Sequence, residues 1–204
     1  MAPDRKNEIL NAAGKCFAKF GYDKTTMDDI GEMVGMNKVS LYYYFKNKET
    51  LFSEMLAREA DEYRKMILKN IEGITGCRKK IIAYIEEGFK YNQSGSILHQ
   101  LSMETLRKLT PQLEKLKNTA QKNGVETMAA MLNEGQENLE ILPCDSEKIA
   151  GTIQKIIYSM KDSAYNQVKS GLIEKMDFVS LVKDIVYAVS LILDGISVKK
   201  QEGD

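Results

Sequence analysis

Tyr42, Tyr43 and Tyr44 stand in a row in this chain, with Lys38, Lys46 and Lys48 around them and no acidic residue from Met36 to Lys48. A phenol offers an apolar ring for a thymine methyl and a hydroxyl for a phosphate, and an ammonium neutralises a phosphate. The grouping therefore has the chemistry to meet a duplex groove. An aromatic run taken alone is more often packing, and lysines are more often simply solvated. The elements that hold these residues decide between the two.

Thr26 and Asp29 have the spacing of a capping box ahead of Ile30, Met33 and Val34, so a helix is predicted from near Met27. Gly35 allows that helix to stop and the chain to turn, and Asn37 can cap a second helix. At 100° per residue the second helix turns Leu41 and Phe45 inward. Val39, Ser40 and Tyr43 then lie on the opposite side, flanked by Tyr42 and Tyr44. Gly31 carries no side chain and lets the second helix cross the first closely. Asn47 can cap a further helix beginning at Lys48, which would aim free backbone N–H groups and an ammonium at one point, a site that fits phosphate. Cap, glycine turn, inward pair and basic flank together favour a DNA-reading element over an ordinary packed run.

The segment from Thr25 to Phe52, TTMDDIGEMVGMNKVSLYYYFKNKETLF, resembles the DNA-binding domain of the Tet repressor family of bacterial transcriptional regulators. The preceding stripe of Ile9, Leu10, Ala13, Phe17 and Phe20, followed by Gly21-Tyr22, fits as well. The resemblance covers about the first quarter of the chain. It implies base-edge contacts from Lys38, Ser40 and Tyr43, and backbone contacts from Thr26, Tyr42, Tyr44 and Lys48. Three positions depart from the commonest pattern: Gly31 where alanine is usual, Asn37 where serine is usual, and Val39 where glycine or alanine is usual. Asn37 and Val39 complete the candidate DNA-binding set, and the branched Val39 can touch a thymine methyl or exclude a base that other members accept. Operator sequence is therefore not transferable from relatives.

The chain has 204 residues, 43% hydrophobic, with 29 basic and 29 acidic residues, one histidine and three cysteines. Over residues 1–50, eight basic residues face seven acidic ones, so DNA affinity must come from a small local patch doubled by dimerisation, and it should fall steeply with salt. MAPDRKNE has no apolar stretch, and no apolar run reaches membrane-spanning length, which predicts a cytoplasmic protein. Cys16, Cys77 and Cys144 are odd in number and show no metal-ligand spacing, so they read as reduced thiols, with Cys16 a small core residue. No metal and no cofactor is called for.

The expected fold is all-α: a three-helix helix-turn-helix domain over residues 1–47, followed by a larger helical effector-binding and dimerisation domain over residues 48–204. Turn chemistry at Gly73 to Gly76, Ser94-Gly95-Ser96, Thr110-Pro111, Pro143-Cys144-Asp145 and Gly171 divides this second part into about six helices, with Pro111 opening one of them. The helix after Lys48, with Phe52, Met55, Leu56, Tyr63, Met66 and Ile67 on one stripe, should connect the two parts and share the first one's core.

Near the C-terminus, Ile149, Ile153, Ile156, Ile157, Met160, Ala164 and Val168 form one stripe, and the final helix is apolar nearly all round. Such a helix must be covered on every side, which predicts an intermolecular four-helix bundle; a deeply buried central helix in a monomer is the alternative. Ile153, Ile157, Met160, Val182, Val186, Val189 and Leu193 are the predicted dimer residues. Between the two ends lies a region rich in methionine and aromatics, from which Tyr84, Tyr91, Met103, Leu106, Met128 and Tyr158 are candidate ligand-binding residues. Family members typically hold a small, largely apolar effector there, although a residue of this kind taken alone is more often plain core. His99 and the Glu104/Arg107 pair admit either a ligand or an ordinary surface role.

These features predict a sequence-specific, double-stranded DNA-binding transcriptional regulator. It would be a homodimeric repressor on a palindromic operator, released by a small-molecule effector. An enzyme is disfavoured, because there is no phosphate-binding glycine loop, no HExxH, no GxSxG and one histidine only. A DNA-bound structural or partner-recruiting protein without an effector is the alternative that the sequence leaves open.

Overall fold

The computed structural model describes residues 2–93, 103–167 and 177–198. Among them are eight helices: α1 (Ala2–Phe20), α2 (Met27–Met33), α3 (Lys38–Tyr44), α4 (Lys48–Asn70), α5 (Cys77–Gln93), α6 (Met103–Glu137), α7 (Ser146–Gln167) and α8 (Phe178–Ile196). The fold is all-α, as the periodicity requires. The chain divides into two compact units, one drawn from Met1–Tyr63 and Gly95–Asn118, the other from Arg64–Ser94 and Thr119–Asp204.

The first unit is built around Ile9, Ala13, Phe17, Ile30, Leu41, Phe45, Leu51 and Phe52, all essentially inaccessible. Two residues of the predicted stripes turn outward instead. Phe20 is largely exposed under the Lys19 ammonium, 4.9 Å from its ring centroid, and Met33 faces solvent at the end of α2. Gly35 adopts the left-handed conformation at φ 64°, where the turn needs it. Gly31 matters for a different contact from the one expected. A Cβ there would lie 2.7 Å from the Met36 carbonyl oxygen, so the close approach is to the turn and not to the body of α3. The Met36 N–H donates to the Gly31 carbonyl at 2.8 Å and closes that turn.

The first half of α6 also belongs to this unit: Leu109 is buried in its core, Leu113 and Leu116 pack against it, and the Thr105 hydroxyl donates to the Asp23 carboxylate. This overturns the predicted break at Thr110-Pro111, because α6 runs unbroken with Pro111 inside it. Proline removes one N–H and crowds the preceding turn. Pro111 is exposed, so the unmatched carbonyl of that turn can take water, while the leucines on the other side keep the helix seated.

The second unit packs α5, the rest of α6, α7 and α8 around Ile81, Ile85, Met128, Leu132, Ala150, Ile153, Ile185 and Val189. Its closure is tertiary. The Glu140 carboxylate accepts from the Cys77 N–H at 2.6 Å and so caps α5 from 63 residues away. A short bridge pairs Ile141 with Ser197, with Leu142 N–H donating to Ile196 O at 2.7 Å and Val198 N–H to Glu140 O at 3.0 Å. No helix of the described residues is long and apolar enough to cross a membrane.

Candidate nucleic-acid interface

The recognition surface begins with two caps. Thr26 Oγ1 accepts from the Asp29 N–H at 3.2 Å, and Asp29 Oδ2 accepts from the Thr26 N–H at 2.7 Å, so the capping box is complete and α2 starts at a fixed point. The Asp29 carboxyl is held below its usual range by these bonds, from the Thr26 hydroxyl first and its backbone second. Asn37 Oδ1 accepts from the Ser40 N–H at 2.8 Å and starts α3 in the same way.

Between its caps, α3 has the orientation its wheel demands. Leu41 and Phe45 are buried at 0% and 1% exposure, while Val39 and Tyr43 stand out at 81% and 88%. Tyr42 flanks them at 42%, Ser40 is half-buried, and Tyr44 is half-buried with its ring edge-on to Tyr43 at 5.6 Å between centroids. Val39 and Tyr43, four residues apart on one helical face, turn most of their side-chain surface to solvent. They form a surface of the size and chemistry that a major groove admits.

The cations are less free than the sequence suggested. Lys38 Nζ donates to Asp28 Oδ2 at 2.8 Å, and this hydrogen bond, with the aspartate's charge, holds the ammonium above its usual range. Lys48 Nζ donates to the carbonyls of Tyr22 and Thr25, both at 2.9 Å, and sits 4.3 Å over the Tyr22 ring. Two of its three donors are therefore turned into the protein, where they tie the start of α4 to the loop between α1 and α2. Lys48→Ala is expected to lower the stability of the first unit by about 1.5–3 kcal/mol, the range for hydrogen bonds to a charged group, measured by denaturant unfolding. Unchanged stability would show that the carbonyl bonds contribute nothing net. Arg5 braces the same region, its Nη2 donating to the Val34 carbonyl at 2.8 Å at the end of α2. Neither Arg5 nor Asp28 was visible as part of the site in the sequence, since both act on residues of another helix.

The other predicted residues lie in the second unit. Tyr84 packs against the core that holds the fully buried Met128, and Tyr158 lies close enough to Tyr84 to feel its charge, both tyrosines being partly buried. Burial pushes the Tyr84 phenol up, partly offset by its hydrogen bond with Thr127 and by the charge of Arg64; Tyr158 is raised by burial, by Tyr84 and by Asp162. Lys161 lies 5.2 Å over the Phe89 ring and 5.9 Å over that of Tyr158. The side chains of Tyr91, Met103, Glu104 and Leu106, and His99 entirely, lie outside the described residues. Among the proposed dimer residues, Ile153, Ile157, Val189 and Leu193 are buried within one chain, whereas Met160, Val182 and Val186 are half-buried. No three histidine, cysteine or acidic residues gather into a metal-binding group among the described residues.

Residues 9–55 match the family model described as bacterial regulatory proteins, tetR family. The chain is 26% identical to the HTH-type transcriptional repressor AcnR of Corynebacterium jeikeium over 179 residues, 86% of this chain and 90% of that one. It is 24% identical to the HTH-type transcriptional regulator YhgD of Bacillus subtilis over 160 residues, 78% of this chain and 84% of the relative. A crystal structure of a transcriptional regulator from Cytophaga hutchinsonii superposes with a TM-score of 0.76 at 25% identity, over 93% of this chain and 97% of that one. These findings support membership of the TetR family. The matched residues 9–55 contain all of α2 and α3 and the start of α4. As a TetR-family regulator the protein binds DNA and is not an enzyme.

Proposed function

We propose that this TetR-family regulator is a homodimeric, cytoplasmic repressor that occupies a palindromic operator and is released by a small, largely apolar effector. The observation that carries DNA reading is the exposure of Val39 and Tyr43 on a helix whose opposite face, Leu41 and Phe45, is fully buried. Repression is supported by relatives named as repressors, AcnR among them. In the proposed complex α3 lies in the major groove with Lys38, Ser40 and Tyr43 on base edges and Val39 against a thymine methyl. Thr26, Asn37, Tyr42, Tyr44 and the third N–H of Lys48 serve the phosphates. Two such helices about 34 Å apart would enter successive grooves of one face.

Release is proposed from the second unit, whose partly buried Tyr84 and Tyr158 carry hydroxyls and whose buried Met128 can repack around a ligand. The effector can shift the DNA-binding equilibrium only by its differential affinity for the bound and released states. Selection of duplexes from a random pool at physiological salt, run beside Tyr43→Ala, tests the reading. An enriched palindrome for the wild type is expected, blurred in the variant by about 1–3 kcal/mol of lost discrimination at the contacted step. Uniform weakening across all duplexes would move Tyr43 to the phosphate contacts, and no enrichment by folded wild-type protein would favour a structural DNA-bound role.

A further inference from the structure

With α3 as the recognition helix, one charged contact at its start stands apart from the caps that begin α2 and α3. The first turn of α2 holds two acids, and Asp29 alone completes the capping box with Thr26. Asp28 is left over from that task. Its Oδ2 reaches the next helix instead and accepts from Lys38 Nζ at 2.8 Å, ten residues away.

The positions of the two partners make this more than a chance surface pair. Lys38 is the first residue of α3, where a cation opposes the positive end of the helix dipole, so it needs a compensating anion. Its neighbour in sequence is Val39, at the centre of the groove-facing surface. Asp28 thus holds a carboxylate, 60% exposed, at the rim of a surface that phosphates must approach. There it repels every duplex, whatever the sequence.

We infer that Asp28 is a specificity-determining residue of the DNA-binding reaction, acting by holding Lys38 against non-cognate DNA. On an arbitrary duplex Lys38 stays on the carboxylate, displaces no counterion, and Asp28 adds repulsion. On the operator a base presenting strong acceptors, guanine O6 and N7 above all, takes the ammonium from the carboxylate. The cost of breaking the pair is recovered only there, so the pair lowers non-specific binding more than specific binding.

This rests on the proposed reading of α3, and the test separates the two. Binding of the selected operator and of an unrelated duplex of equal length is followed across a salt series for the wild type, Asp28→Asn, Lys38→Ala and the double variant. Asp28→Asn is expected to raise non-specific affinity roughly fivefold, the scale of one exposed charge pair. It should also steepen the non-specific salt slope by about one per protomer, as Lys38 is freed to neutralise a phosphate. Operator affinity should rise less, so the ratio of specific to non-specific binding falls. In the Lys38→Ala background the same substitution should leave the slope unchanged. An unaltered ratio and slope, or an equal loss on both duplexes with a lower melting temperature, would make the pair purely structural and overturn the inference. An identical slope change without Lys38 would do so too, by showing repulsion alone. A wild type with no preference among duplexes would overturn the recognition-helix reading itself.

Discussion

Replacing Phe52 by alanine is expected to destabilise the DNA-binding unit by about 3–5 kcal/mol, the range for truncating a fully buried phenylalanine. Phe52 is 1% exposed and stands edge-on to two other rings, with centroids 5.1 Å from Phe17 and 4.7 Å from Tyr22. Phe17 and Tyr22 themselves meet at 5.4 Å, so the three rings close a triangle, and each edge-on pair adds to what burial alone contributes. The Tyr22 ring also carries the Lys48 ammonium, and its hydroxyl is buried with no hydrogen-bond partner among the described residues, so ring packing and the lysine hold it in place. Removing Phe52 therefore empties a cavity and loosens the lysine staple together. Against a total stability of about 5–15 kcal/mol for a domain, such a loss leaves the unit near its unfolding threshold. Denaturant titration followed by far-ultraviolet circular dichroism should show an early transition, and operator binding should fail at temperatures the wild type tolerates. Phe52→Leu, which refills most of the volume, should recover more than half of the loss. A loss below about 1 kcal/mol for the alanine variant would show that the site collapses freely and that the ring triangle is not the centre of this core.

The dependence of the DNA-binding unit on α4 was readable in advance, because Phe52, Met55 and Leu56 repeat at helical spacing right after the capped start at Asn47, whose Oδ1 accepts from the Thr50 N–H at 2.8 Å. Caps are legible in general for this reason: Thr26 with Asp29, and Asn37 with Ser40, act over three residues of chain, so sequence spacing fixes geometry. The inward pair Leu41 and Phe45 and the outward pair Val39 and Tyr43 follow from the 3.6-residue period in the same way.

What the sequence did not disclose is set by partners far along the chain. A lysine side chain has four rotatable bonds, and Lys48 points to the carbonyls of Tyr22 and Thr25 because folding places them there; as a string, the motif reads equally well as an open phosphate site. The Asp28–Lys38 pair and the Glu140 cap on α5 are likewise products of tertiary placement. Pro111 misled because proline usually marks a helix boundary, and an exposed position inside a long helix seated by Leu109 and Leu113 overrides that preference.

The last helix shows the same division between pattern and placement, and it carries the prediction with the largest functional effect. In α8, Leu181, Ile185, Val189 and Leu193 recur every fourth residue and are buried by the chain itself. Val179, Tyr187 and Leu191 remain 60%, 68% and 57% exposed, and Val182 and Val186 are half-covered. Of the residues expected at a dimer contact, Val189 and Leu193 are thus buried within one chain, and in the proposed dimer the apolar surface open to a second copy is that of Val179, Tyr187 and Leu191. Two substitutions separate these roles. Val189→Asp buries an unpaired carboxylate in the core and should abolish cooperative unfolding of the second unit. Tyr187→Asp combined with Leu191→Asp alters exposed positions, so helix content and melting should stay close to wild type while sedimentation reports a monomer. Because both halves of a palindrome are engaged only when the two readers are tethered, that monomer should bind the operator at least about a hundredfold more weakly. Its affinity for a single half-site should be unchanged, since α3 and its caps are untouched. A doubly substituted protein that still sediments as a dimer would place the contact on another surface and remove α8 from the account of how the two readers are held.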